Sequence, residues 1–140
     1  MHDIKINGAK NKFFNTKRVS QKLIDFAKEE GFKIDRLEYN FVDSDRMCSL
    51  NKDFLNHDTD TDIITFDYSK SKTIIAEIFI SSEMMIKNAS ENMQSIENES
   101  FRLLSHGLLH CMGYKDNTLE EKAIMRKKEE EFIFAVSRET

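Results

Sequence analysis

Two histidines, His106 and His110, lie four positions apart in a segment whose sequence predicts a helix. Apolar residues recur along this segment at the spacing of one helical stripe, at Phe101, Leu104, Leu108 and Met112. Residues four apart on an α-helix differ in direction by only about 40°, so the two imidazoles project side by side. Such a pair is common by chance, and a metal site therefore needs a further ligand close by.

The residues that follow the predicted helix supply that ligand. Gly113 permits the left-handed turn that ends many helices, after which the chain can return and bring Asp116 towards the imidazoles. Two imidazole nitrogens and one carboxylate oxygen are three ligands of a tetrahedral zinc ion whose fourth position is open to water, as in catalytic sites. We therefore predict one zinc ion per chain, held by His106, His110 and Asp116, although nickel and other divalent ions accept the same ligands.

The alternative interpretation is that each histidine is an ordinary half-buried helix residue. The pair, the glycine and the carboxylate together favour a metal. Their spacing resembles the H-E-x-x-H-x-x-G-x-x-H pattern of metzincin peptidases. Gly107, however, stands where those enzymes have the glutamate that takes a proton from water, and Asp116 stands at the third histidine position. Peptide hydrolysis is therefore disfavoured.

The whole chain of 140 residues is long enough for one domain with a substantial core. No repeat or low-complexity linker divides it, which predicts a single domain over residues 1–140. No apolar run could span a membrane and the N-terminus lacks a signal-peptide core, so we expect a cytoplasmic protein. Cys48 and Cys111 are expected to be free buried thiols rather than a disulfide. The net charge of −4 gives no general support for nucleic-acid binding.

Periodicity predicts an α+β fold in which a small mixed sheet of about four strands packs with about five helices. Strands are predicted at residues 4–6, 34–42, 63–66 and 73–80. Helices are predicted at about residues 16–31, 45–54, 82–93 and 98–112, and after a capping box formed by Thr118 and Glu121. The polar segment 56–62 is predicted to be a loop. The metal site would then lie at the end of the histidine helix.

Several side chains are predicted to face the core because they continue the apolar stripes of these helices. They are Met47, Leu50, Phe54, Met85, Ile86, Ala89, Met93, Ile124, Met125, Phe132 and Val136. Glu77 interrupts the apolar run 73–80, which is typical of a central strand covered on both faces. A buried carboxylate is costly unless it is paired or faces a site. Glu77 is therefore either a carboxylate near the metal or a strand residue that reaches solvent.

Several stretches together resemble one family, the YbeY-type endoribonucleases of bacterial ribosomal RNA maturation. The matching stretches, in the order of the family, are Leu50-Asn51, Thr61-Asp62-Ile63-Ile64-Thr65-Phe66, Ala76-Glu77-Ile78-Phe79-Ile80-Ser81, His106-Gly107-x-Leu109-His110-x-x-Gly113-Tyr114 and the acidic helix from Glu120 to Phe132. The resemblance extends from about Phe41 to the C-terminus. Three positions differ from the family: Asp116 replaces a third histidine, Leu55 replaces an arginine, and Glu77 replaces an aspartate.

This resemblance implies a zinc-dependent endoribonuclease that cleaves single-stranded RNA in the 3′-end maturation of small-subunit ribosomal RNA and in ribosome quality control. The implied partners are ribosomal RNA and the small ribosomal subunit. Zinc lowers the pKa of bound water to about 7, and attack by that water or by the 2′-hydroxyl of the RNA is equally compatible with the sequence. No catalytic side chain or oligomeric state is predicted.

Two other functions remain open at the level of sequence. One is a non-catalytic metal-binding factor of ribosome assembly, which the acidic net charge and Leu55 support. The other is a metal-dependent hydrolase of a different substrate, which the ligand spacing alone permits.

Overall fold

The computed structural model describes residues 4–8, 14–55 and 61–137, in which strands and helices alternate as far as about residue 67 and three consecutive helices follow the last described strand. The described strands are β1 (Ile4–Asn7), β2 (Lys33–Val42), β3 (Ile63–Asp67) and β4 (Thr73–Ser81). The described helices are α1 (Thr16–Glu29), α2 (Ser44–Leu55), α3 (Ser82–Glu91), α4 (Ile96–Cys111) and α5 (Leu119–Ser137). These elements confirm the predicted single α+β domain. Most of the predicted loop at 56–62 lies outside the described residues.

The four strands form one mixed sheet in the order β1-β2-β4-β3. β1, β2 and β4 are parallel, and β3 pairs antiparallel with β4 at the edge. Alternate residues of each strand point to opposite faces. One face carries Leu37, Tyr39 and Ile78 and packs against apolar residues of α1, α3, α4 and α5, while the other face packs against α2. The histidine helix α4 therefore lies on the side of the main core.

Side-chain caps determine where three of the helices begin. Asn15, Ser81 and Ser95 accept hydrogen bonds from the backbone amides three residues later, at 3.0, 3.1 and 3.0 Å. Such a cap satisfies one of the amides that have no partner within the helix. Because Ser95 is the cap, α4 begins at Ile96, slightly before the position expected from the sequence.

Two contacts hold α4 against the sheet. The hydroxyl of the fully buried Tyr39 donates to the carbonyl of Leu104 over 2.7 Å. Gly107 faces β4 and β3, where a Cβ atom would lie 2.7 Å from Ile78 Cδ1 and 3.4 Å from Ile63 Cδ1 respectively. The glycine therefore lets the helix approach the sheet closely one residue after the first histidine.

Four residues predicted to face the core are exposed instead. Met93 is 91% exposed because α3 has already ended and residue 93 adopts a left-handed φ of 57°. Ile86 follows the buried Met85 and Ile124 precedes the buried Met125, and one step along a helix turns a side chain by about 100° away from its neighbour. Phe54, near the end of α2, is 65% exposed, and its ring meets that of Phe66 edge-to-face with the two centroids 5.8 Å apart.

The cysteines are both free thiols, as predicted, although only Cys111 is buried and Cys48 is half-buried. Burial, followed by the charge of Asp67 and a hydrogen bond to it, raises the pKa of Cys111 to about 12. Cys111 thus contacts β3 rather than the histidines. Among the helices of the described segments, none has the length and apolar character needed to cross a bilayer.

Candidate metal centre

The end of the histidine helix is closed by two backbone hydrogen bonds around Gly113. The amide of Gly113 donates to the carbonyl of His110 and the amide of Tyr114 donates to the carbonyl of Leu109, each over 3.0 Å. This pair of bonds is the Schellman motif, and it requires the left-handed conformation that Gly113 adopts with a φ of 98°. The chain therefore turns back immediately after the second histidine, as the sequence predicts.

The capping box at the start of α5 holds the other side of the turn. The amide of Glu121 donates to the hydroxyl of Thr118, and the Glu121 carboxylate accepts from the amides of Asn117 and Thr118, all at 3.0 Å. Asp116 thus lies between two hydrogen-bonded motifs that are close in sequence. Its carboxylate is directed at the two imidazoles as a result.

The three predicted ligands converge on one point. His106 Nε2 lies 3.1 Å from His110 Nε2, and Asp116 Oδ2 lies 3.4 Å from the first and 3.5 Å from the second. A tetrahedral zinc ion with bonds of about 2.0–2.1 Å has ligand atoms about 3.3 Å apart. The observed separations fit such an ion, so these three residues could hold a metal.

The site is open on one side. The side chain of His106 is 14% exposed, whereas those of His110 and Asp116 are 32% and 38% exposed. Three protein ligands that face solvent leave a position for water or a substrate oxygen, which distinguishes a catalytic zinc site from a closed structural one.

A buried carboxylate supports the first histidine from behind. Glu129 of α5 places Oε2 only 2.6 Å from His106 Nδ1, and its side chain is 6% exposed. Since Nε2 is the atom that faces the other ligands, Nδ1 is the nitrogen left to donate this hydrogen bond. A carboxylate behind a metal-binding histidine is a common arrangement in metalloproteins.

An arginine joins this carboxylate to two others. Arg102 binds Glu99 through Nε and Nη2, and its Nη1 and Nη2 lie 3.8 Å from Glu129 and Asp62 respectively. Burial by itself lowers the pKa of Arg102, but the Glu99 hydrogen bonds and the three negative charges outweigh it and raise the pKa. Asp62 also accepts a hydrogen bond from Asn88 of α3 over 3.1 Å.

Glu77 does not belong to this site. It is next to Ile78, which faces α4, so the alternation of β4 turns Glu77 to the opposite face of the sheet. It is half-buried there, in register with Glu38 and Phe66 of the neighbouring strands. The possibility that Glu77 lies near the metal was therefore wrong, and the alternative of a solvent-reaching strand residue agrees with its partial exposure.

Glu129 is the site residue that was missed in the sequence. A signal for it existed, because residues 125, 129, 132 and 136 have the 4-3-4 spacing of a buried stripe and the other three are apolar. Because Glu129 is the first of three consecutive glutamates, Glu129–Glu131, the sequence reads there as an exposed charged segment. Leu55 ends α2, but its side chain and the neighbouring His57 lie outside the described residues.

This small α+β fold thus brings two histidines and an aspartate, which could bind a metal ion, together at the end of a core helix. The model of the family described as Endoribonuclease YbeY matches residues 3–137. The chain belongs to this family.

Individual relatives agree with the family match. The Endoribonuclease YbeY of Cytophaga hutchinsonii is 46% identical over 105 residues, which cover 74% of this chain and 73% of the relative. That of Flavobacterium johnsoniae is 40% identical over 115 residues, or 82% and 80% of the two chains. The solution structure of TM1509 from Thermotoga maritima has a TM-score of 0.70 at 25% identity and covers 95% of this chain and 88% of its own.

Proposed function

We propose that this protein is a zinc-dependent, single-strand-specific endoribonuclease that acts in 3′-end maturation of small-subunit ribosomal RNA and in ribosome quality control. Residues 1–140 form its single catalytic domain, it works in the cytoplasm, and its partners are ribosomal RNA and the small ribosomal subunit. The observation that carries the proposal is the open His–His–Asp cluster in a chain that matches the endoribonuclease family over residues 3–137.

The residues of the cluster have distinct tasks in this function. His106 and His110 provide nitrogen ligands, and Asp116 provides an oxygen ligand in place of the family's third histidine. A zinc ion bound there supplies a Lewis acid that polarises a phosphate oxygen and lowers the pKa of water. The greater exposure of His110 and Asp116 leaves room for a phosphodiester on their side, while the better-buried His106 forms the inner wall.

A flexible single strand suits this geometry better than a duplex. The ligands lie at the end of α4 and in the turn that precedes α5 and are only partly exposed, so a substrate phosphate has to approach them closely. Unpaired RNA can splay its backbone and bases to allow this approach, whereas a duplex presents a stiff surface. The cluster therefore favours cleavage within loops, tails or other unpaired RNA.

A second candidate, a non-catalytic assembly factor that binds metal, is favoured by one sequence feature. Leu55 stands where the family usually has an arginine, and the net charge of −4 offers no general attraction for RNA. In that case the metal would shape an RNA-binding surface without cleaving the chain.

The test is cleavage of a single-stranded RNA that spans the 3′ end of small-subunit ribosomal RNA, with the same RNA annealed to its complement beside it. Purified protein of measured metal content is compared with His106→Ala and Asp116→Ala. Asp53→Ala, an exposed carboxylate on α2 across the sheet from the cluster, is the matched control.

We expect one zinc per chain, cleavage of the single strand alone, and loss of both zinc and cleavage in the two ligand variants. Stoichiometric zinc without cleavage would instead support the assembly factor. Equal zinc content in the parent and both ligand variants would refute the ligand assignment.

A further inference from the structure

We infer that Glu129 is the positioning residue of His106, and that Arg102 in turn holds Glu129 and links the metal centre to the start of β3. The inference rests on the proposed function in that it takes His106 as a metal ligand. It assigns a purpose to two features that the ligand set leaves unexplained, a buried glutamate in α5 and the Asp62 of the family-like T-D-I-I-T-F stretch.

Glu129 occupies a position where an unpaired carboxylate would be costly. Its side chain is 6% exposed, in a stripe otherwise formed by Met125, Phe132 and Val136. A charge at such a position destabilises the fold unless it is paired and hydrogen-bonded. An apolar residue would extend the core here, so the glutamate has to be explained by what it touches.

Glu129 contacts two residues of α4 through its two carboxylate oxygens. Its Oε2 lies 2.6 Å from His106 Nδ1, whereas its Oε1 lies 3.8 Å from Arg102 Nη1. The histidine contact is a short hydrogen bond, and the arginine contact is a longer ion pair. Glu129 cannot itself be a ligand, because it binds the edge of the ring opposite to Nε2. Its direct effect is on the orientation and tautomer of His106.

The hydrogen bond at Nδ1 determines the state of the other ring nitrogen, Nε2. A histidine that donates Nδ1–H to a carboxylate keeps the lone pair on Nε2, which is the atom a metal needs, and its ring cannot turn away. His106 Nε2 indeed faces Asp116 Oδ2 at 3.4 Å. The hydrogen bond therefore prepares one ligand before any ion arrives, so that binding has less reorganisation to overcome.

Glu129 is itself held by an ion pair with Arg102. Arg102, four residues before His106 on α4, is bound to the fully buried Glu99 through Nε and Nη2, while Nη1 faces Glu129 and Nη2 also faces Asp62. Asp62 precedes β3 and is bound by Asn88 of α3, while its carbonyl accepts from the amide of Ser81. The chain of contacts thus connects β3, α3, α4 and α5 behind one imidazole.

The test uses Glu129→Gln and Glu129→Ala, with Glu130→Gln as the matched control. Glu130 is the next residue on the same helix and is exposed, so its substitution removes the same charge without touching His106. Arg102→Gln examines the second link. Circular dichroism and thermal unfolding establish that each variant is folded.

The first readout is made on the metal-free protein. Nitrogen-15 NMR of the imidazoles, at a pH where they are neutral, reports which ring nitrogen carries the proton. We expect the Nδ1–H tautomer for His106 in the parent and in Glu130→Gln, and a mixture of tautomers in Glu129→Ala. An unchanged tautomer in a folded Glu129→Ala protein would overturn the inference.

The second readout is zinc affinity, measured by competition with a chromophoric chelator. We expect Glu129→Ala to bind zinc about 10–100-fold more weakly, which is the usual effect of losing such a partner. Glu129→Gln should lie between this variant and the parent, because an amide oxygen still accepts from Nδ1. Arg102→Gln should weaken binding less than Glu129→Ala, and Glu130→Gln should bind as the parent does.

The two proposals fail in different ways. Parent-like zinc affinity in Glu129→Ala and Glu129→Gln, beside normal cleavage by the parent, would overturn the positioning role and leave the nuclease intact. A parent protein that binds zinc and shows the Glu129-dependent tautomer but cleaves no RNA would overturn the nuclease and leave the positioning role intact.

Discussion

His106 and Asp116 are two ligands of the same candidate centre, yet they are held by different kinds of structure. Asp116 is placed by the Schellman turn and the capping box, whose hydrogen bonds all join residues between Leu109 and Glu121. His106 is oriented by Glu129, 23 residues away, on a helix that is itself linked to Arg102. One part of the candidate centre therefore forms through local backbone hydrogen bonds, whereas the other exists only once α4 and α5 have packed.

Removal of a ligand should have the largest effect and should be equal in the two regions. His106→Ala and Asp116→Ala each delete one of three protein ligands, so we expect zinc affinity to fall by more than the roughly 10–100-fold that a supporting residue contributes. Competition with a chelator measures this. If Asp116→Ala bound zinc as tightly as the parent, Asp116 would not be a ligand.

Substitution of the two glycines of the histidine motif should lower the stability of the protein for different reasons. Gly107→Ala should destabilise the protein by about 1–3 kcal/mol, since the new Cβ would overlap Ile78 of the sheet. Gly113→Ala meets no atom within 4 Å, and its cost of about 1–2 kcal/mol comes from the left-handed backbone alone. Urea unfolding of the metal-free proteins measures both.

A further substitution separates these two causes. Asn tolerates the left-handed conformation, so Gly113→Asn should cost less than Gly113→Ala, whereas Gly107→Asn should cost more than Gly107→Ala. The opposite order at either position would show that the glycine is needed for a different reason.

The pH dependence of stability tests the contact between Tyr114, in the turn after α4, and Glu30, at the end of α1. The hydroxyl of Tyr114 donates to Glu30 Oε1 over 2.6 Å, and this bond, followed by that of Lys128, lowers the pKa of Glu30 below 4.5. A carboxylate with a lowered pKa stabilises the fold above its ordinary pKa, and the contribution is lost as the pH falls through the folded-state value. Tyr114→Phe should therefore cost about 1 kcal/mol at neutral pH.

The difference between Tyr114→Phe and the parent should shrink well below pH 4.5, where Glu30 is protonated in both proteins. Urea unfolding at the two pH values measures it, and Tyr68→Phe, at a tyrosine that is 59% exposed, is the control. A difference that grew on acidification would contradict the role given to Glu30.

The smallest effect is expected at Leu119, which lies three residues after Asp116 and is 89% exposed. Because the Leu119 side chain extends into solvent while Met112 and Tyr114 are the turn residues that pack on the core, Leu119→Ser should change stability by no more than about 0.5 kcal/mol. Zinc affinity should also be unchanged in the chelator assay. A clear loss of stability or of zinc affinity would show that packing of the Leu119 side chain helps to position Asp116.

Several features of the fold and the centre could be predicted because they depend on short-range interactions. The four-residue spacing of the histidines, the left-handed glycine and the Thr118–Glu121 capping box are all contained in a few turns of chain. The predicted strands and helices likewise follow from periods of about 2 and 3.6 residues. Exposure was harder to predict, since Ile86 and Ile124 fit an apolar stripe but each lies one position away from a methionine that packs in the core.

Neighbouring residues alone predicted the candidate ligands His106, His110 and Asp116, the turn that joins them and the α+β class, because local hydrogen bonds and helical spacing depend on short stretches of chain. The packing of the helices on the sheet was needed to show that Glu77 faces away from the candidate centre and that Glu129 contacts His106. A strand's orientation and a helix's neighbour depend on burial of the whole core, in which residues far apart in sequence compete for the same space.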